Sequence, residues 1–141
     1  YIAQYTNGAR VVAVGIWPTD GFETDYVPSA NREIDHCLSL PPKERMGNDS
    51  RDYVIERLEG YPDEVLAFQQ VAWQAPGPDD LPISRDDYVN NPHVIAISTA
   101  RAFGIFEDHF ITVMIDDPSD QPPTEEELRA LWDAQVAKMR Y

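Results

Sequence analysis

Three histidines (His36, His93 and His109), one cysteine (Cys37) and several paired aspartates are the residues of this chain with the chemistry to bind a metal, move a proton or attack a carbonyl. Their spacing brings few of them together. No two histidines stand at a metal-ligand interval, and none has an H-x-E or C-x-x-C companion. Cys37 follows His36 directly, and adjacent helical residues point in different directions, so the two do not form a nucleophile–base dyad. Ser98 lacks the G-x-S-x-G elbow, and the seven glycines are scattered rather than gathered into a phosphate loop. The sequence therefore nominates no catalytic residue and no cofactor.

The acidic clusters suggest a different chemistry. Asp116, Asp117 and Asp120 lie close together after an apolar run, and hard oxygen ligands on loops are what calcium takes. These three are the candidate metal ligands, although no D-x-D-x-D-G loop is present and acidic pairs beside prolines also make ordinary solvated turns. Asp79-Asp80 and Asp86-Asp87 fall in a proline-rich stretch of the same character. Trp17, Phe22, Tyr26, Tyr61 and Tyr88 lie in or near expected loops, where aromatics can line a groove or anchor a protein contact. The plainer reading is that Trp17 and Phe22 cap the core. Cys37, alone and set among helical apolar positions, is expected to be a small buried hydrophobe.

The totals bound what these residues can serve. A length of 141 residues with 43% hydrophobic content fits a single domain spanning 1–141 with one real core. A net charge of -14 repels nucleic acid and anionic lipid, and leaves a cationic protein surface or a divalent metal as the allowed partners. No apolar run approaches the ~20 residues of a membrane span. The chain opens at Tyr1 rather than Met, the expectation being a processed or trimmed product. Lys43 and Lys138 are the only lysines among eleven cations, a bias that fits a GC-rich genome or a salt-adapted organism.

The elements that must position these residues can be read from periodicity. Residues 10–17 (RVVAVGIW) form a β-branched central strand, in which Gly15 marks a bulge or the close approach of another backbone. Ser29 offers an N-cap to a helix over 29–40, whose face is Ala30, Ile34, Cys37 and Leu38 and which Pro41-Pro42 ends. Residues 53–58 and 65–73 are expected as strands of a hairpin across Gly60-Tyr61-Pro62-Asp63, with Val65, Ala67, Val71 and Trp73 on one face. Residues 41–50 and 75–92 are expected loops. Strands over 94–102 and 110–115 pair across a turn within 104–108, and being apolar on both sides they must be covered on both. Thr124 and Glu127 make a capping box that opens the closing helix, whose stripe is Leu128, Leu131, Trp132, Gln135, Val136 and Met139. The fold class expected is α+β: an antiparallel sheet of about five strands with two main helices packed on it.

The phrases VIAISTARAFGIFEDHFITVMIDD and EEELRALWDAQVAKMR resemble extracytoplasmic domains of actinobacteria, namely mycobacterial-type lipoproteins and the sensor domains of membrane serine/threonine kinases. In those families two antiparallel strands lead into a final helix that closes on a similar phrase. The resemblance covers about a third of the chain and departs from the kinase sensors in having Cys37 alone where they carry paired cysteines. It implies a non-enzymatic binding or accessory domain of the cell envelope that contacts a protein partner, with no site residues to carry across. A cytoplasmic acidic inhibitor or immunity-type protein neutralising a basic enzyme is the second expectation. A small enzyme whose site assembles only in three dimensions is the third.

Overall fold

Strands that are apolar on both sides need cover on both, and the computed structural model supplies it: a helix lies on each face of one antiparallel sheet. Residues 2–7, 10–20, 26–40, 51–74 and 95–140 are described. The strands are β1 (Ile2–Asn7), β2 (Arg10–Pro18), β3 (Arg51–Arg57), β4 (Val65–Gln74), β5 (Ile95–Phe106) and β6 (His109–Asp117), with helices α1 (Tyr26–Ser39) and α2 (Glu125–Met139). The sheet runs β1-β2-β6-β5-β4-β3, each neighbour antiparallel. The α+β class is as expected, with six strands among the described residues where about five were expected. The additional strand, β1, is half polar and sits on an edge, so it lacks the apolar alternation of a buried strand.

Side chains alternate between the faces. Val14, Val65, Ala67, Ala100, Ala102, Ile111 and Val113 share the face under α2, where they form one buried cluster with Leu128 and Trp132. The sheet residues near the middle of this face are small, which makes room for the Trp132 indole. Full burial of a side chain such as Leu128 contributes roughly 1.5–3 kcal/mol. Ser98 is fully buried and donates its hydroxyl to the Ser119 carbonyl at 2.6 Å, and Gln69 Nε2 donates to the Pro123 carbonyl at 2.7 Å. Both bonds tie the sheet to the segment leading into α2.

The opposite face carries α1 over Leu66, Phe103 and Phe110, with Ile34 of the helix buried against them. Arg57 of β3 holds the helix from the side: its guanidinium lies 2.8 Å from Asp35 and donates to both the carbonyl and the side-chain oxygen of Asn31. Helix α1 begins at Tyr26, three residues before the expected cap at Ser29. Pro28 therefore falls in the first helical turn, where a missing N–H leaves no intrahelical bond unmade.

The turn expected within 104–108 is found there with β5 longer than expected, and two further expectations are revised. The turn between β5 and β6 is the two-residue Glu107-Asp108, both at positive φ (45° and 63°), so β5 runs through Gly104 to Phe106. The Asp108 carbonyl accepts from the Thr19 backbone N–H (3.1 Å) and hydroxyl (3.0 Å), which steadies a turn lacking the usual Asn-Gly. Gly15 is approached by a side chain and not by a backbone: a Cβ there would stand 2.2 Å from the Trp17 indole, which lies across it. Cys37 is half-buried rather than fully buried. The expected loops over 41–50 and 75–92 lie outside the described residues.

Candidate functional site

Helix α1 leaves a groove between itself and strands β3, β4 and β5. Tyr26, Ala30, Glu33, Ile34 and Cys37 come from the helix, and Ile55, Phe68, Gln70, Arg101 and Phe103 from the sheet. The space is about 340 Å³. Its walls are mainly aliphatic and aromatic, with a few polar ends: the Arg101 guanidinium, the Gln70 amide, the Tyr26 hydroxyl, the Glu33 carboxylate and the Cys37 thiol.

The fold fixes these groups locally. The spacing of Tyr26, Ala30, Glu33, Ile34 and Cys37 is that of one helical face, so a single helix presents all five. Tyr26 stands edge-on to Phe103 at 5.3 Å and to Phe110 at 5.6 Å, which sets its ring at one end of the groove. Phe68 meets Phe103 edge-on at 6.4 Å and forms part of the floor. Arg101 sits in mid-strand, its cross-strand partners being Phe68 and Met114.

Arg101 differs from three other arginines of the sheet and its flanks. Arg10 pairs with Asp117 and Glu127, Arg57 with Asp35 and Arg140 with Glu107. Arg101 has no carboxylate partner among the described residues. Its guanidinium lies 4.7 Å over the Phe103 ring, and its one side-chain hydrogen bond among the described residues is a long 3.5 Å contact from Nη2 to the Tyr26 hydroxyl. Its Nε is buried and without an acceptor.

Of the aromatic candidates named from sequence that are among the described residues, Tyr26 alone lines the groove. Trp17 packs beside Phe110 with ring centres 6.0 Å apart, as part of the core under α1. Tyr61 lies on the other face against Trp132. Phe22 and Tyr88 fall outside the described residues, as do His93, Asp79-Asp80 and Asp86-Asp87. His36 is on α1 but not among the groove residues, and His109 starts β6 with Nδ1 3.0 Å from the Glu107 carbonyl.

The candidate calcium ligands are placed apart by strand geometry. Asp116 and Asp117 are consecutive in β6 and so face opposite sides of the sheet. Asp116 accepts from the Thr99 hydroxyl at 2.6 Å, whereas Asp117 meets Arg10 at 3.1 Å. Asp120 lies beyond the strand beside Gln121. Among the described residues no group of three or more His, Cys, Asp or Glu is arranged to hold a metal ion.

Sequence reading named Tyr26 alone among the groove residues as a binding candidate; of those it missed, Arg101 carries the positive charge. One signal could have found it. In a strand apolar on both faces, Arg101 is a single cation in the series Ile95, Ile97, Thr99, Arg101, Phe103, Ile105, which all share one side. No protein-family model, curated protein or solved structure matches this chain. No helix among the described residues is long and apolar enough to cross a membrane.

Proposed function

We propose that this protein is a non-enzymatic binding domain that holds a small, partly apolar ligand in the groove between α1 and strands β3–β5. The observation that carries the reading is the composition of that groove. A space of about 340 Å³ with apolar walls and a few convergent polar groups lies at the lower end of the usual range for small-molecule sites. Among the described residues the lining sets no histidine beside the Cys37 thiol and no second carboxylate beside Glu33, and the polar groups it does present are suited to orienting a ligand. Placement in the cell envelope, within a larger protein complex, rests on the actinobacterial resemblance of the last third of the chain.

The test is a methyl NMR titration with an uncharged probe, 4-phenylbutanol. Shift changes centred on Ile34 and Ile55, and abolished by Ala30→Trp, are the expected result. Changes spread over the surface, or unaffected by Ala30→Trp, would overturn the assignment.

A further inference from the structure

We infer that the ligand class of this groove is an amphipathic monocarboxylate, its apolar body against Phe68, Ile34 and Ile55 and its carboxylate on Arg101. The inference rests on the groove being the binding site. Arg101 stands in an apolar seat, with Phe68 and Met114 as cross-strand partners and Phe103 beneath the guanidinium. Stacking on the ring fixes the plane of the cation and occupies its face, so that any polar partner must be met by its N–H donors. Those donors are undersupplied: the Nε is buried without an acceptor, and the one side-chain hydrogen bond among the described residues is the long contact to a neutral hydroxyl. A carboxylate matches this arrangement because its two oxygens can accept two parallel N–H bonds from one guanidinium.

The charge of the rest of the molecule narrows the class. At a net charge of -14 the surface as a whole repels anions, so recognition of an anion must be local to Arg101. Glu33, exposed on α1 at the same groove, opposes it. A dianion such as a phosphate monoester meets that opposition twice over, which favours the single charge of a carboxylate. A cationic ligand meets Arg101 itself.

Isothermal titration with 4-phenylbutyrate, 4-phenylbutanol and 4-phenylbutylamine separates the possibilities. The acid should bind wild type on the order of tenfold or more tighter than the alcohol, as expected for hydrogen bonds to a charged group. Arg101→Gln should erase that preference by weakening the acid to the level of the alcohol, with circular dichroism reporting that the variant is folded. Glu33→Gln should tighten the acid more than it changes the alcohol. Equal binding of acid and alcohol to wild type overturns carboxylate recognition but leaves the groove reading intact. Tighter binding of the amine than of the acid overturns it as well, with Glu33 as the recognising group. A preference retained in Arg101→Gln removes Arg101 from the site. If Arg101→Gln does not fold, Glu33→Gln decides, and no gain for the acid overturns the inference. Failure of all three probes, or binding indifferent to Ala30→Trp, takes down the groove assignment itself.

Discussion

The guanidinium of Arg129 lies 3.8 Å over the ring of Tyr61, while its Nη1 and Nη2 donate to the carbonyls of Gly60 and Glu59 at 2.7 and 3.1 Å. One side chain of α2 thus grips the turn between β3 and β4, and Tyr61 in turn stands edge-on to Trp132 at 5.9 Å. The Tyr61 hydroxyl is buried without a partner, and burial pushes its pKa up despite the nearby Arg129.

Tyr61→Phe keeps the ring and removes that unsatisfied hydroxyl. Stability in urea should be unchanged or raised by up to about 1 kcal/mol. Arg129→Met should lower it by about 1–2 kcal/mol, through loss of the stacked cation and two carbonyl bonds. A clear loss on Tyr61→Phe would show that the hydroxyl has a partner and sink this account.

Two glycines should differ in sensitivity although both are closely approached. A Cβ at Gly104 would stand 2.0 Å from the Glu64 carbonyl oxygen and 2.6 Å from the Val65 Cα, both backbone atoms where the paired strand begins. Gly104→Ala should therefore cost roughly 3 kcal/mol or more, or prevent folding. At Gly15 the obstacle is the tip of the Trp17 side chain. Gly15→Ala should cost about 1–3 kcal/mol and shift tryptophan fluorescence, as the indole is displaced from its seat. The reverse ranking in thermal unfolding would contradict the packing described.

The start of α2 should respond to acid. The Glu127 carboxyl is held below its ordinary pKa of 4.5, first by the hydrogen bond from Arg10 and next by the Thr124 backbone N–H. A carboxylate depressed in the folded state takes up its proton more readily when unfolded. Its contribution is therefore full above about pH 4.5 and is lost as the pH falls through the lower folded value. Glu127→Gln should flatten that part of the stability–pH curve. Because the pair is exposed, the change should stay under about 1 kcal/mol and shrink with salt. Thr124→Ala, which removes the cap acceptor for the Glu127 N–H at 3.1 Å, should cost about 1 kcal/mol with little added pH dependence.

Cys37 offers a direct reporter, being the single cysteine and part of the groove wall. Its alkylation by a maleimide should slow several-fold when the groove is saturated with 4-phenylbutyrate. In Ala30→Trp the ligand should give no protection. An unchanged rate in wild type would place the ligand elsewhere.

Much of this architecture was legible because the sequence carried mutually consistent local signals. Thr124 and Glu127 announce the cap of α2, and the alternation Val65, Ala67, Val71, Trp73 announces the buried face of β4. The strand β1 was not legible, since an edge strand such as IAQYTN needs no apolar alternation and its pairing is supplied by β2. The turn at Glu107-Asp108 was only bracketed. A glutamate at positive φ is a local misfit tolerated because Thr19 braces the turn from a different strand's end. The groove was the least legible feature. Tyr26 could be suspected as an aromatic near a loop, but Arg101 acquires its meaning only from what fails to approach it, and ion pairing is a property of the assembled sheet.

The pairing of β2 with β6 joins Val11 to Asp116 and Trp17 to Phe110, residues separated by most of the chain. The four strands β3 to β6 can assemble from near neighbours, each pairing with the next along the chain. The β1–β2 hairpin cannot join them until β6 has been made. During synthesis the apolar face of β2 must wait until β6 has been made, which makes docking of that hairpin the late, entropically expensive step and places this domain among the slower folders of its size.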